Sequence, residues 1–559
     1  MTDPLPTSAP STEAVAGELA ARLVRPQRHR LLQGYPSLPQ MRLASARTAG
    51  QIEGRRTLRG ALITDRARLT EHLAFLERRL AAPPPAPSAD PREEQRRQRD
   101  EMLRPQWASA IEQLGAQLSL PDPAEPPFVE LDATRDLLVG VIPHTQCTPR
   151  VEGCGFCTFP HDAPDKRSRG RAIAGVEDEI VALLQSSPEL QGRKVTAVYF
   201  GGGTANLAAP DQIARLFAAL AARFDVRGAE VSLEGIPKLF TSWFHAPLDM
   251  LARLAAGRRR ISMGIQTFDR AVLERMGRAD FGDEKLVRKL VARCRARDIT
   301  TSGDLLFGLP GQTLAAMTDD VDRAIDAGLD QICLYHLVLH EGLGTAWSKD
   351  PALVAAMPDN ETACAHWLAL RDRLLGAGFV QTTVTNFERK EVAEGDRAFV
   401  YERASFSPEK TDGVGFGPLS LSVFVDRVQR RAVKLVRRKD LRSPAWSGHD
   451  LYFPCEGDDL RLLFVTRSLA KGSFDARVYA DFCGSDLAHD FPHAIAALTA
   501  RGLIESTAGR LSLTPRGMFF SDAVVATFVA EKARPRTGEG VRTHAALEEP
   551  LLLDYDGMG

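Results

Sequence analysis

Between Asp136 and Phe387 the sequence alternates short apolar runs with helical patterns, and this alternation limits the possible folds more than any other feature. Each run is long enough for one buried β-strand, and the stretches between them have the apolar spacing of amphipathic helices. The runs are DLLVGVI, VTAVYF, VSLE, ISMGIQ, TSGDLLF, DQICLYHL and FVQTTV. Repeated strand–helix units build a parallel sheet covered by helices. We therefore predict an α/β fold with a partial (β/α)6 or TIM-like barrel.

Two of the intervening stretches show the helical pattern most clearly. In DQIARLFAALAARF the apolar residues fall at i, i+3, i+4 and i+7: Ile213, Leu216, Phe217 and Leu220. In EKLVRKLVARCRARD the same stripe contains Leu286, Val287, Leu290, Val291 and Cys294. Because Cys294 lies on the apolar stripe, we predict that it is a core residue.

Three cysteines lie close together in one loop, TQCTPRVEGCGFCTFP, directly after the first predicted strand. They are Cys147, Cys154 and Cys157. Three thiolates can hold three irons of a 4Fe–4S cluster and leave the fourth iron open for a small ligand. A zinc site is the alternative, although zinc normally takes four protein ligands. His144 and His161 are near enough in sequence to contribute to such a site.

Glycines and polar residues occupy successive predicted strand ends, where barrels of this type carry their chemistry. Glycines let backbone amides approach a small molecule closely. Carboxylates suit hydroxyl or ammonium groups, and arginine can grip a carboxylate with two hydrogen bonds. Singly, such residues often form turns or helix caps, but together they predict a binding site. The set is Gly201-Gly202-Gly203-Thr204, Glu234, Gln266, Arg278 and Asp304.

Five ordered motifs resemble the oxygen-independent coproporphyrinogen III oxidase-like branch of the radical S-adenosylmethionine (SAM) superfamily. They are VYFGGGTANL, SMGIQTFDRAVLERMGR, DLLFGLPGQT, YHLVLHEGLGTAW and GVGFGPLSLS. The aromatic residue before the last cysteine of the loop is also similar to these enzymes. The resemblance covers residues 138–425 and, more loosely, 455–530. In the second region a helix, a wing and a helix resemble a C-terminal winged-helix-like accessory domain.

The resemblance implies a 4Fe–4S cluster ligated by Cys147, Cys154 and Cys157, with SAM bound to the open iron. It also implies that SAM is cleaved to a 5′-deoxyadenosyl radical, which abstracts a hydrogen atom from the substrate. Members of this branch can hold two SAM molecules. The residues that match contacts to the first are Gly202 and Glu234. Those that match contacts to the second are Phe156, Gly203, Thr204, Gln266, Arg278, Asp304 and Leu421.

Two departures from the branch bear on the reaction. The first gap between the cysteines holds six residues instead of three, and the N-terminal segment of true porphyrinogen oxidases is absent. We therefore expect a methyl or methylene (one-carbon) transferase acting on a small-molecule or peptide substrate, with an electron donor such as flavodoxin or ferredoxin. The alternatives are oxidative decarboxylation of propionate side chains and a non-catalytic haem chaperone. The basic stretch RVQRRAVKLVRRKDLR could bind a polycarboxylate or form a solvated edge strand.

The chain divides into five predicted segments. They are an N-terminal extension with disordered or linker parts (1–130), the radical SAM core (131–387), a connecting β-rich segment (388–455), the winged-helix-like domain (456–535) and a tail (536–559). Lysines and arginines number 71 against 72 acidic residues, so we expect no nucleic-acid partner. No apolar run is long enough to span a bilayer, and no secretory signal is recognisable. Together with the scattered remaining cysteines, this predicts a cytoplasmic protein without a membrane partner.

Overall fold

The structure is a computed structural model that describes residues 128–339, 343–437 and 451–532. It also describes residues 55–56, 62–63, 66–83 and scattered positions between 86 and 115. Most of the predicted N-terminal extension and the whole predicted tail therefore lie outside the described residues. No helix in the described part of the chain is both long and apolar enough to cross a bilayer.

The strands and helices follow one another in the order that the alternation predicts. Beyond a short N-terminal pair at Arg55–Arg56 and Leu62–Ile63, the strands are β1 (Asp136–Val141), β2 (Val195–Phe200), β3 (Glu230–Gly235), β4 (Arg258–Gln266), β5 (Ile299–Phe307), β6 (Gln331–His336), β7 (Phe379–Gln381), β8 (Asn386–Arg389), β9 (Thr411–Phe416), β10 (Leu421–Asp426), β11 (Arg431–Val436), β12 (Leu451–Glu456), β13 (Ser473–Asp475), β14 (Ile504–Thr507) and β15 (Arg510–Leu513). The helices are α1 (Arg66–Ala81), α2 (Lys166–Ser186), α3 (Pro210–Ala221), α4 (Pro237–Phe240), α5 (Ser242–Arg253), α6 (Arg270–Arg275), α7 (Glu284–Arg295), α8 (Leu314–Asp326), α9 (Pro351–Ala355), α10 (Asn360–Gly376), α11 (Lys390–Ala393), α12 (Val400–Ser405), α13 (Asp458–Leu469), α14 (Ala476–Cys483), α15 (Leu487–Asp490), α16 (Pro492–Ala500), α17 (Pro515–Phe519) and α18 (Ser521–Lys532).

Twelve strands form one sheet in the order β12-β11-β10-β9-β1-β2-β3-β4-β5-β6-β8-β7. The neighbours from β9 through β1 to β6 pair in parallel, and the strands outside them pair antiparallel. The two ends of the sheet do not meet among the described residues, so the partial barrel is confirmed and a closed one is not formed. The run FVQTTV differs from the expectation. Only Phe379–Gln381 is strand, and it lies antiparallel at the edge.

The two faces of the parallel strands have opposite chemistry. Outward residues such as Val139, Phe200 and Ile261 pack into one large core with the helices. The predicted helical stripes join this core, and Cys294 is fully buried in it, which confirms its prediction as a core residue. The other face, here called the inner face, carries polar side chains at every second position: Tyr199, Glu230, Ser232, Glu234, Arg260, Ser262, Ser302, Asp304, Gln331, Cys333 and Tyr335. Because a sheet buried on both sides is normally apolar on both, this polarity predicts an interior site.

A buried ion-pair group fastens β9 to β1. The carboxylate of Asp412 lies 2.9 Å from Arg135 and 3.5 Å from Arg193, and all three side chains are almost fully buried. Removing one member of such a group leaves an unpaired buried charge. The group therefore explains how β9, which has two glycines in TDGVGF, is held as a seventh parallel strand.

The C-terminal part has its own core, formed by α13 to α18 and a three-stranded antiparallel sheet in the order β13-β15-β14. The order helix α16, hairpin β14–β15 and helix α18 confirms the winged-helix-like accessory domain. This domain contacts the core through Phe519, whose ring centroid lies 5.1 Å from His336 and 6.1 Å from Trp367. It therefore lies against the end of β6.

The basic stretch is not an edge strand, so that alternative is wrong. Its strand β11 lies between β10 and β12 because Leu451–Glu456 adds a further strand outside it. Lys434 is half-buried, and Arg437 forms a buried ion pair of 2.7 Å with Glu179 on α2. Arg427 and Arg431 pair with Asp481 and Glu456. These contacts give the described basic side chains a structural role. The rest of the stretch, Arg438, Lys439 and Arg442, lies outside the described residues.

Candidate active site

The cysteine loop takes an unusual backbone path at the end of β1. A short turn at Glu152–Gly155 places Gly153, Cys154 and Gly155 in the left-handed region, with φ of 56°, 54° and 86°. The Cys157 amide donates to the Gly153 carbonyl at 2.7 Å. A non-glycine residue in the left-handed region is strained. The contacts around Cys154 must therefore hold it in this conformation.

Gly155 is one glycine of the loop that cannot be replaced without rearrangement. A Cβ placed on it would lie 2.1 Å from the Trp347 indole nitrogen, and its φ of 86° disfavours any side chain. We expect Gly155→Ala to reduce the iron bound after anaerobic reconstitution by more than half, because Trp347 or the loop must move. Gly170→Ala, in open space on α2, is the matched control and should bind iron normally. Full iron binding by Gly155→Ala would show that the loop is adaptable.

The three thiols share one neighbourhood and have different partners. Cys147 Sγ lies 2.9 Å from Thr204 Oγ1, and the Arg278 guanidinium donates to Cys154 Sγ at 3.2 Å. Burial raises the pKa of Cys147, and burial with the charges of Cys154 and Cys147 raises the pKa of Cys157 to about 11. Cys147 and Cys157 are therefore thiols at neutral pH when no iron is bound, and iron binding must displace their protons.

The two neighbouring histidines differ in how their ring nitrogens are engaged, and Nε2 of His144 is buried without a hydrogen-bond partner among the described residues. His161 uses both ring nitrogens in the loop: Nε2 accepts from the Gly153 amide at 3.1 Å, and Nδ1 contacts the Phe159 carbonyl at 2.9 Å. Nδ1 of His144 accepts from the Gln146 amide at 3.2 Å. Within the described residues no three histidine, cysteine or acidic side chains converge on one metal ion. A cluster has no need of such convergence, because each thiolate binds a different iron.

The glycine turn after β2 packs against the cysteine loop and against Glu234. A Cβ on Gly202 would lie 2.6 Å from Ile142, and one on Gly203 would lie 2.7 Å from the Gln146 carbonyl. A Cβ on Gly201, at the start of the turn, would lie 2.9 Å from Glu234 Oε2. Burial, followed by the charge of Asp304, raises the pKa of Glu234 to about 8. These glycines therefore form a side-chain-free surface between the thiols and a protonated Glu234.

Gln266 and Arg278 meet at the end of β4. A Cβ on Gly264 would lie 3.1 Å from both an Arg278 nitrogen and Gln266 Nε2, so all three are adjacent. Arg278 is 5% exposed and also donates to the Gly264 carbonyl at 2.5 Å. Gln266 has a φ of 70° at an irregularity in the β4–β5 pairing, which redirects its side chain. Asp304 lies on the neighbouring strand, where Ser262 donates to it at 3.4 Å.

Two predicted residues lie apart from this group. The Phe156 ring packs against Trp347, with centroids 6.0 Å apart. Leu421 begins β10, where it pairs with Val436, and its backbone lies against Gly415. The turn before it contacts the Ile142 carbonyl through Gly417, which places Leu421 near the end of β1. Its contact with a cofactor remains a prediction.

Sequence reasoning missed several residues of the site. Asn206 joins the glycine turn to β3 by exchanging hydrogen bonds of 3.1 and 3.2 Å with the backbone of Ile236. Tyr199 donates to Glu234 at 3.3 Å. The position of Tyr199, two residues before the glycine turn on an alternating strand, was a signal for it. Trp347, which packs over the cysteine loop, ends the motif YHLVLHEGLGTAW, and this motif was the signal for it.

Comparison with known proteins identifies the fold and the class. Residues 141–324 match the radical SAM superfamily. Mouse mitochondrial radical S-adenosyl methionine domain-containing protein 1 is 30% identical over 286 residues, which are 51% of this chain and 61% of that protein. The heme chaperone HemW of Mycobacterium tuberculosis is 29% identical over 42% of this chain and 59% of its own. The structure of coproporphyrinogen III oxidase (HemN) from Escherichia coli superposes with a TM-score of 0.57 at 21% identity, covering 71% of this chain and 91% of that one.

The chain therefore contains a radical SAM domain, whose cofactors are a 4Fe–4S cluster and SAM. Its relatives and its fold are similar to the HemN-like branch of the superfamily. The aligned region spans only about three fifths of the two curated relatives, at 61% and 59% of their lengths. The residues fit the cofactors: three thiols share one loop, an arginine donates to one thiol, and a glycine surface leads to Glu234.

Proposed function

We propose that this protein transfers a one-carbon unit from SAM to a small-molecule or peptide substrate, using two SAM molecules. A buried arginine nitrogen carries the proposal. Nε of Arg278 has no hydrogen-bond partner among the described residues, although the side chain lies between Cys154 and Gly264. A buried unpaired donor is costly unless a ligand satisfies it. Arg278 therefore provides a position for a carboxylate that is separate from Glu234 and Gly202.

The protein residues have distinct tasks under this proposal. Cys147, Cys154 and Cys157 would hold the cluster, which together with SAM supplies a 5′-deoxyadenosyl radical. Glu234 would accept hydrogen bonds from the amino group of the first SAM. Without a cation its pKa of about 8 keeps it protonated at neutral pH, and an adjacent ammonium favours ionisation. Arg278 and Gln266 would orient the second SAM, and the glycine turn admits it without steric conflict.

The chemistry of the inner face supports transfer over decarboxylation of a polycarboxylate. Asp304 lies within electrostatic reach of both Glu234 and Glu402, and burial raises the pKa of all three. Arg260 contacts Gln331 through two nitrogens at 3.0 and 2.5 Å. The raised pKa values reduce the charge of these acids, and Arg260 is already paired, so these groups offer a substrate with several carboxylates little charge complementarity. A neutral or cationic substrate suits this face better.

The test uses methyl-labelled SAM. The reconstituted protein is reduced anaerobically and supplied either with a small-molecule and peptide extract of the cell that makes it or with coproporphyrinogen III. We expect label to enter a product from the extract, with both 5′-deoxyadenosine and S-adenosylhomocysteine formed. Loss of carbon dioxide from coproporphyrinogen without S-adenosylhomocysteine would instead establish the oxidase. Haem binding without any SAM cleavage would establish a chaperone.

A further inference from the structure

The helix α12 lies against the inner face of the sheet, although its segment was predicted only as a connection. The amides of Val400 and Tyr401 donate to the buried Glu230 carboxylate at 2.9 and 3.4 Å. The guanidinium of Arg260 lies 3.7 Å from the centroid of Phe399, which precedes the helix. Buried groups on β3 and β4 therefore fix the start of α12.

Tyr401 of this helix stacks on Tyr199 of β2. The two ring centroids are 4.8 Å apart, and the planes differ by 28°. Glycines leave the necessary room. A Cβ on Gly140 would lie 3.1 Å from the Tyr401 hydroxyl, and one on Gly201 would lie 2.6 Å from the Tyr199 ring. The stacking of Tyr199 and Tyr401, which are 202 positions apart in the sequence, thus depends on the absence of side chains at Gly140 and Gly201.

Tyr199 connects the aromatic pair to the side chain of Glu234. Tyr199 Oη donates to Glu234 Oε2 at 3.3 Å, and the same oxygen lies against the glycine turn, 2.9 Å from a Cβ built on Gly201. Burial and the charge of Glu234 raise the pKa of Tyr199, so its hydroxyl remains protonated and continues to donate. A carboxyl group that is held by a tyrosine donor and packed against the glycine turn has fewer accessible orientations, and such pre-organisation strengthens ligand binding.

We infer that Tyr199, held by Tyr401, is a positioning residue that orients Glu234 toward the amino group of the cluster-bound SAM. The inference rests on the role that the proposed function gives to Glu234. Tyr401 contributes through its ring, because its hydroxyl faces the backbone of Gly140 rather than Glu234. We therefore expect removal of the Tyr199 hydroxyl to weaken SAM binding and removal of the Tyr401 hydroxyl to have little effect.

The experiment measures the affinity of the reduced, cluster-loaded protein for a SAM analogue with nitrogen in place of the sulfonium sulfur. The analogue cannot be cleaved, and the change in the electron paramagnetic resonance signal of the cluster reports its binding there. We expect Tyr199→Phe to weaken binding about 10-fold, since a hydrogen bond to a charged group is lost. Tyr401→Phe, which keeps the stacked ring, should stay within about twofold of the wild type.

A double-mutant cycle separates positioning from a general structural effect. In a Glu234→Gln background, Tyr199→Phe should cause no further loss of affinity. Wild-type affinity in Tyr199→Phe, or an equal loss in both backgrounds, would overturn the inference. A wild-type protein that binds the analogue yet transfers no labelled methyl group would overturn the proposed function and leave the role of Tyr199 standing.

Discussion

Replacing Cys147, Cys154 and Cys157 together by alanine should abolish the visible absorbance of the reconstituted protein. The wild-type protein should hold about four irons and four sulfides, and the triple variant close to none. The physical reason is that these thiols share one loop whose backbone presents them together, with Thr204 and Arg278 as partners of two of them. Iron and sulfide analysis with absorption spectroscopy measures the result.

Cys483→Ala is the matched control for this triple variant. Cys483 is also a free cysteine, but it ends α14 in the C-terminal domain. Its replacement should leave the iron and sulfide content unchanged. A normal cluster in the triple variant, or loss of the cluster in Cys483→Ala, would contradict the assigned ligands.

Arg278→Ala should separate the two uses of SAM. Removing a buried charged partner of a ligand costs about 2–5 kcal/mol, so formation of S-adenosylhomocysteine with substrate should fall by a factor of about 30 or more. Cleavage to 5′-deoxyadenosine without substrate should fall less, by about fivefold or less, because that step relies on Glu234. Chromatographic quantitation of both nucleosides gives the ratio.

Arg275→Ala serves as the control for this variant. Arg275 ends α6 three residues earlier and is exposed, with its guanidinium 5.9 Å from the Trp347 ring. Its loss should leave both nucleosides near wild-type levels. Because Arg278 also donates to Cys154, iron content must be measured in both variants. An equal fall of both nucleosides in Arg278→Ala at full iron content would contradict two separate SAM positions.

The parallel part of the fold was predictable because period-two and period-3.6 patterns are local properties of the sequence. The strands β1 to β6 and the stripe that contains Cys294 followed directly from them. The edges were not predictable in the same way. FVQTTV has the composition of a buried strand, yet only three of its residues form one, since strand pairing at an edge depends on distant partners. The basic stretch was wrongly predicted as an edge strand for the same reason. The strand β12 that covers β11 comes only at Leu451, well beyond the basic stretch in the sequence.

The candidate site was predictable where its residues lie in motifs and not where packing brings them in. The structure brings Thr204, Gln266 and Arg278 to the cysteine loop through neighbouring strand ends, as parallel strands require. Tyr401 could not be found in this way, because it reaches Tyr199 from a helix far along the chain. The glycines at 140 and 201 leave room for the two rings, but the sequence alone does not show which side chains fill that room.

The formation of 5′-deoxyadenosine tests the central claim most directly. The anaerobically reconstituted wild-type protein is incubated with SAM and dithionite, and the nucleoside is quantified by mass spectrometry. We predict 5′-deoxyadenosine that depends on the reductant and is absent from the triple cysteine variant. A protein with a full cluster that leaves SAM intact under these conditions would contradict the assignment of a SAM-cleaving centre to the cysteine loop and the strand ends around it.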